Sequence, residues 1–246
     1  CALPISLLLQ SALAMPIPPS LDHLRPFLPR SCGDLVGDIP RMVACDVIIT
    51  RPRRTKLGDH RPPGSGRPRH RITINEDLNP YAFLTTLLHE VAHATTWDRN
   101  RPRTRRLRPH GPEWQREFAG LLAPVLESGV LPADVAAALT RVMAAPRAAS
   151  CSDRQLSLAL SRYDEPKPHL KRVEDLAIGD LFRIADSGVF RAGRPLRTRR
   201  TCFDCRTGTE YRVHGLALVE PLPRPPHGRL SGSASRPRRS AGRTRS

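Results

Sequence analysis

Residues 86–118 read "TLLHEVAHATTWDRNRPRTRRLRPHGPEWQREF", and the prediction of the fold starts from this stretch. Its first part contains the pentapeptide His-Glu-Val-Ala-His, in which His89, Glu90 and His93 occupy the first, second and last positions. Side chains four residues apart lie one above the other on the same face of an α-helix. A helix here would therefore let His89 and His93 bind one metal ion through their imidazole nitrogens.

Two histidines do not complete a catalytic zinc site, which needs three protein ligands and one open position. His110 is the candidate for the third ligand because it comes directly before Gly111-Pro112, a strong helix-start signal. Glu90 would lie beside the metal, where it can take a proton from the attacking water and deliver it to the leaving amine. The alternative is that His89 and His93 form ordinary hydrogen bonds on a partly buried helix. Burial of these polar side chains in so apolar a helix would be costly without a metal.

The segments around the motif predict a mixed α+β domain. Asn79 is a good N-cap and Pro80 suits the first helical position, so we predict a helix from there to about Trp97. Apolar and alternating patterns predict strands over 42–50 and 71–75, which could pair. We also predict a short helix around 21–28 and loops over 51–70 and 98–109. Further helices are predicted over 112–127, 132–145 and part of 151–166. Ser152 or Asp153 would cap the last of these.

Charge separates this chain from most globular proteins. It has 40 Lys+Arg against 23 Asp+Glu, a formal net charge of +17, which favours nucleic acid as a partner. The loop before His110 concentrates six arginines, which we predict to make non-specific phosphate contacts with DNA: Arg99, Arg101, Arg103, Arg105, Arg106 and Arg108. Other arginines could extend this patch: Arg51, Arg53, Arg54, Arg67, Arg69, Arg71, Arg194, Arg197, Arg199 and Arg200. The alternatives are a solvated insertion that tolerates arginine and a general coding bias towards this residue.

The chain divides by composition into five segments. We predict a non-native leader or artefact over 1–14, a metallopeptidase domain over 15–150, a connecting helix and linker over 151–172, a small all-β module over 173–221 and a disordered basic tail over 222–246. The first segment begins at Cys1 and lacks the basic n-region of a signal peptide. Six scattered cysteines do not form the framework of a secreted domain, so we predict free thiols and a cytoplasmic or nucleoid-associated protein. No apolar run is long enough for a membrane span.

The motif residues resemble the SprT-like family of zinc metallopeptidases, which includes Spartan. The family pattern is HExxH on a helix, a variable insertion and then His-Gly-x-x-aromatic, which matches "HEVAH" at 89–93 and "HGPEW" at 110–114. The resemblance to bacterial members extends over about residues 40–220 through "KLGDHRPP", "HRITINEDLNPYAFLTTLLHE", "CSDRQLSLALSRYDEP" and "FRAGRPLRTRRTCFDCRTGTEYRVHGLALVE". It implies a zincin-like core, one catalytic Zn²⁺ on His89, His93 and His110, and Glu90 as catalytic base. It also implies proteolysis of DNA-associated proteins.

One feature departs from the family. Several members end in a zinc ribbon with two cysteine pairs, whereas Cys202 and Cys205 have no second pair nearby. We therefore interpret both as ordinary strand or turn residues. Two other functions stay open: a nucleic-acid-associated binding protein with a structural or weakly active zinc site, and a secreted peptidase if the first residues are a genuine signal peptide. The sequence does not reveal the protein substrate or the oligomeric state.

Overall fold

The computed structural model describes residues 20–53, 56–100, 107–144, 153–184 and 187–223. Contacts between residues divide the chain into two compact units, and the division falls between Glu165 and Pro166. The first unit combines helices with a small sheet, and the second is built around a larger sheet, so the mixed α+β prediction is confirmed. Among the described residues, no helix combines the length and the apolar composition that a membrane span requires.

A three-stranded sheet opens the first unit. A 3₁₀ helix over Asp22–Phe27 and the short helices α1 (Gly33–Gly37) and α2 (Ile39–Met42) precede it, and the strands are β1 (Cys45–Thr50), β2 (Gly58–Arg61) and β3 (His70–Asn75). The strand order is β1-β3-β2, with β1 parallel and β2 antiparallel to β3. The two predicted strands therefore do pair. The predicted loop over 51–70 is wrong in part, because residues 58–61 add an edge strand.

Four longer helices complete the first unit: α3 (Pro80–Arg99), α4 (Pro112–Glu127), α5 (Ala133–Ala144) and α6 (Arg154–Ser161). The side chain of Asn79 accepts hydrogen bonds from the backbone N–H groups of Tyr81 and Ala82, which confirms it as the N-cap of α3. Asp153 caps α6 in the same way, through the N–H of Leu156. These helices match their predicted positions, except that α3 continues to Arg99 and so includes the start of the predicted 98–109 loop.

One hydrophobic core joins the sheet to the helices of the first unit. Ile72 and Ile74 from β3 are fully buried, as is Phe83 from α3. Burial of apolar side chains on this scale is the main favourable term in folding. It fixes α3 across the sheet, so residues of β2 and β3 lie against the helix that carries the His-Glu-Val-Ala-His motif.

The second unit is a six-stranded sheet. Its strands are β4 (Lys171–Arg172), β5 (Leu181–Ile184), β6 (Gly188–Pro195), β7 (Arg199–Asp204), β8 (Glu210–His214) and β9 (Leu218–Leu222), with a 3₁₀ turn over Val173–Asp175. All neighbouring strands are antiparallel, in the order β4-β9-β5-β6-β7-β8. Phe182, Phe190 and Cys202 belong to its own core. The predicted all-β character is confirmed, and the predicted tail from residue 224 onwards lies outside the described residues.

Candidate metal centre

Helix α3 presents the first two histidines from a buried position. His89 is 6% exposed and Glu90 7% exposed, while His93, one turn further on, is half-buried. Their neighbours on the helix, Leu88 and Val91, are apolar and buried. Packing therefore holds the backbone of the motif in place, and the histidine side chains have little freedom to reorient.

His110 reaches the same point from the turn before α4. Its φ is 58°, in the left-handed region that residues other than glycine adopt at a cost in conformational energy. The side-chain amide of Gln115 donates a 3.0 Å hydrogen bond to the carbonyl oxygen of His110. The N–H of Gly111 donates to the carbonyl oxygen of Arg108 at 3.0 Å, and a Cβ at Gly111 would lie 3.0 Å from that oxygen. The turn is thus built to bring His110 back over α3.

The three histidines meet through the same ring atom. The Nε2–Nε2 distances are 3.2 Å between His89 and His93, 3.1 Å between His93 and His110, and 3.0 Å between His89 and His110. Tetrahedral zinc with Zn–N bonds of about 2.0–2.1 Å places its ligand nitrogens roughly 3.3 Å apart. Among the described residues, these histidines are the group of histidine, cysteine and acidic side chains that could hold a metal ion.

Burial favours the neutral form of all three rings. Burial, followed by the charges of His93 and His110, lowers the pKa of His89 to about 3. Burial also lowers the pKa of His93 to about 4, and it lowers that of His110. Neutral imidazoles are the form that binds a metal. Three nitrogens this close cannot all be satisfied by protons between them, whereas one cation would satisfy all three lone pairs at once.

Trp114 packs beside the three histidine rings. Its ring centroid lies 4.7 Å from that of His89, 5.5 Å from that of His93 and 4.7 Å from that of His110. Its indole N–H donates to the carbonyl oxygen of His89 at 3.3 Å, and Phe118 stacks on it at 4.9 Å. Trp114 therefore fixes the separation of α3 and α4 at the height of the histidines.

Glu90 lies against the edge strand β2. A Cβ at Gly58 would lie 2.7 Å from Oε1 of Glu90 and 2.7 Å from Cγ2 of Thr86, so only glycine lets β2 pass this close to α3. Burial and then the charge of Asp59 raise the pKa of Glu90 to about 7, against the opposing charges of Arg53 and Lys56. A carboxyl group with a pKa near neutrality suits both uptake and release of a proton.

The structure leaves most of the arginine prediction untested. Arg101, Arg103, Arg105 and Arg106 lie outside the described residues. Arg108 is exposed two residues before His110. Arg99 forms an ion pair with Glu117 at 2.8 Å and is 65% exposed, so it links the end of α3 to α4 and still faces solvent.

Two arginines of the wider predicted patch have structural roles instead. Arg53 donates to the side chains of Asn75 at 2.8 Å and Thr73 at 2.9 Å, which ties the segment after β1 to β3. Arg200 is 5% exposed and cannot contribute to a surface patch. Cys202 is buried in β7 and Cys205 follows this strand in an exposed turn, as predicted for strand and turn residues.

Residues 46–126 match the model of the SprT-like family. Over this segment the chain is similar to the SprT-like family. The match extends from β1 to α4 and contains the three histidines and Glu90. The C-terminal sheet lies outside the SprT-like segment. No curated protein and no solved structure matches the chain.

Sequence reasoning missed the contribution of β2 to this site. Gly58 and His60 lie in a segment that was predicted to be a loop, and their contacts with α3 depend on the pairing of β2 with β3. The only sequence signal was the likeness of "KLGDHRPP" to SprT-like relatives, which includes both residues.

Proposed function

We propose that the protein is a zinc-dependent metalloendopeptidase of the SprT-like type, with a zincin-like core in its first unit. The observation that carries this proposal is the meeting of three Nε2 atoms, 3.0 to 3.2 Å apart, on the same helix that presents Glu90. Three histidine ligands leave a fourth coordination position open, which is typical of catalytic rather than structural zinc sites. His89, His93 and His110 would hold the metal.

Glu90 is the residue that moves the proton in this proposal. Bound Zn²⁺ supplies Lewis acidity, which makes water a better nucleophile and a peptide carbonyl a better electrophile. Glu90 accepts a proton as the water oxygen bonds to the carbonyl carbon. It then delivers that proton to the amide nitrogen as the C–N bond breaks, so the products are a carboxylic acid and an amine. The close approach of β2 at Gly58 limits the space around the carboxyl group of Glu90.

We further propose that the substrates are proteins associated with DNA. The support is the formal net charge of +17, together with the exposed side chains of Arg99 and Arg108 on the approach to His110. Arginine side chains bind phosphates without reading sequence. The absence of disulfides among the described cysteines is compatible with the cytoplasm as the place of action.

Glu90→Gln tests the proposed chemistry. Zinc content and cleavage of a denatured protein substrate are measured for the wild-type chain and the variant, each with and without single-stranded DNA. We expect Glu90→Gln to lose cleavage by about 10²–10⁴-fold and to keep its zinc. Glu127→Gln changes an exposed carboxylate at the end of α4 and should cleave like the wild type.

Each outcome favours one function. Glu90-dependent cleavage that DNA stimulates would support the peptidase and its proposed substrates. A zinc-loaded protein that binds DNA but cleaves nothing would favour a nucleic-acid-associated binding protein with a structural zinc site. Cleavage that persists in Glu90→Gln would contradict the mechanism.

A further inference from the structure

Strands β2 and β3 place a second set of histidines beside the metal centre. On β2, Gly58 lies so close to Glu90 that an added Cβ would be 2.7 Å from Oε1 of Glu90. Two residues later, the ring of His60 lies nearly parallel to that of His93, with 8° between the planes and 6.1 Å between the centroids. Residues two apart on a strand point to the same face. One face of β2 therefore contacts both the candidate base and a candidate metal ligand.

His60 is held in this position by a hydrogen bond to His70, which in turn lies near Asp98. Its Nε2 lies 2.7 Å from Nδ1 of His70 on β3, and the two rings stack at 5.0 Å. His70 is 1% exposed and meets the edge of Trp97 at 5.1 Å. Its Nε2 lies 3.2 Å from Oδ1 of Asp98 at the end of α3, although this contact lacks hydrogen-bond geometry. The contacts thus form a string from Asp98 through His70 to His60, in which the His70–His60 contact is a hydrogen bond and the Asp98–His70 contact is electrostatic.

The charge of Asp98 decides which ring nitrogens donate and which accept. A carboxylate near Nε2 of His70 favours a proton on that nitrogen, which leaves Nδ1 of His70 as the acceptor. His60 then donates its Nε2–H to His70. Asp98 lies on α3, and His60 faces His93 of the same helix. His70, between them, lies on β3.

Packing alone does not explain this pair of histidines. Burial of two imidazoles carries a desolvation cost that an apolar pair at the same places would avoid. What the pair adds is a fixed ring orientation beside His93, because one nitrogen of His60 is committed to His70. Groups that hydrogen-bond to a metal ligand commonly change metal affinity by about 10–100-fold when removed, and a ring contact such as that of His60 with His93 should contribute at the lower end of this range.

We propose that His60 is a positioning residue of the metal centre, oriented by His70 and Asp98 so that its ring fixes the ring of His93. This inference rests on the proposed zinc site. It predicts that zinc affinity depends on a residue that binds no zinc itself. It also makes β2 a part of the metal centre at two points, through Gly58 at Glu90 and through His60 at His93.

Zinc affinity tests this assignment on the full-length chain. The affinity is measured by competition with a chromogenic chelator, and the visible absorption of the Co²⁺-substituted protein reports the ligand geometry. We expect His60→Ala to weaken zinc binding by about 10-fold, the lower end of the range for outer partners of a metal ligand. His60→Phe keeps a ring beside His93 without the hydrogen bond to His70, so we expect a smaller loss of affinity and a shifted Co²⁺ spectrum. Asp98→Asn should have an effect of the same kind.

His214→Ala is the matched control, because it removes an exposed histidine from β8 in the other unit and should change neither quantity. Circular dichroism verifies that each variant is folded. Wild-type affinity and an unchanged Co²⁺ spectrum in both folded His60 variants would overturn the role of His60 and leave the proposed peptidase intact. A wild-type chain that binds no zinc would overturn both.

Discussion

The two units bury polar side chains for different reasons. In the C-terminal sheet, the guanidinium group of Arg200 is buried, and its N–H groups donate to the carbonyl oxygens of Gly193 at 2.9 Å, Val173 at 3.2 Å and Glu174 at 3.3 Å. Backbone oxygens thus satisfy the buried cation. In the first unit, the ring nitrogens of buried His89 and half-buried His93 and His110 face one another across 3.0 to 3.2 Å.

The difference shows which buried polar groups indicate function. The guanidinium group of Arg200 has its hydrogen-bond partners within the fold, and its role is to hold strands and turns together. The three histidines present acceptors that a cation would satisfy, so their arrangement makes physical sense with a metal bound. Burial alone does not separate these cases, but the chemical nature of the partners does.

Arg200→Leu should have the largest effect on stability and sharpens the comparison. Loss of the guanidinium group leaves three carbonyl oxygens without their donor, so we expect the C-terminal sheet to lose about 3 kcal/mol of stability. Hydrogen exchange of the β6 and β7 amides measures this loss. Zinc binding should stay unchanged, since Arg200 lies outside the SprT-like segment.

Arg199→Leu is the control for this prediction, because it removes a neighbouring arginine that is exposed in the same strand. Equal effects of the two substitutions would show that charge rather than the buried hydrogen bonds stabilises the sheet. A loss of zinc in Arg200→Leu would break the distinction between a structural and a functional buried group.

Gly58→Ala should have the next largest effect. The added methyl group would lie 2.7 Å from Oε1 of Glu90 and 2.7 Å from Cγ2 of Thr86, so these side chains or β2 must shift. Overpacking of this kind costs about 1–3 kcal/mol, and we expect cleavage to fall because Glu90 shifts. Chemical unfolding followed by tryptophan fluorescence measures the stability, as both tryptophans, Trp97 and Trp114, belong to the first unit.

Gly64→Ala is the matched control, since a Cβ at Gly64 meets nothing within 4 Å. It should leave stability and cleavage at wild-type levels. If Gly58→Ala behaves like this control, the close approach of β2 to Glu90 is not a constraint on the site.

Asn79→Ala should have the smallest effect of the three. It removes the N-cap of α3 and the 2.6 Å hydrogen bond from Asn79 to Asp164. We expect a loss of about 1 kcal/mol in the unfolding transition seen by tryptophan fluorescence, with zinc still bound. Asp77→Ala, in the exposed turn before α3, should cause no measurable loss. A loss of zinc would show that the start of α3 controls the metal ligands further along the same helix.

Local signals in the sequence predicted the helical part of the site. Asn79 and Pro80 marked the start of α3, Gly111-Pro112 marked the start of α4, and the spacing of His89 and His93 placed both on one helix face. Each of these signals acts within a few residues, so each can be recognised without knowledge of the fold. The meeting of the three histidines depends on the packing of α4 against α3, where Trp114 lies beside all three rings.

The contribution of β2 could not be predicted in the same way. Residues 51–70 are rich in proline, glycine and arginine, and no alternating pattern identifies 58–61 as a strand. β2 is an edge strand that pairs with β3, and Gly58 is required by the nearness of Glu90 rather than by a turn. The contact between His60 and His70 depends on strand register, which is a long-range property.

Zinc content per chain is the most direct test of the central claim that His89, His93 and His110 together hold one metal ion. The full-length chain, His93→Ala, His110→Ala and the control His214→Ala are purified with zinc and dialysed, and zinc is measured by elemental analysis. We predict about one zinc per wild-type and control chain, and little or none in the other two variants. A wild-type chain without zinc, or zinc retained in full by both His93→Ala and His110→Ala, would contradict the account.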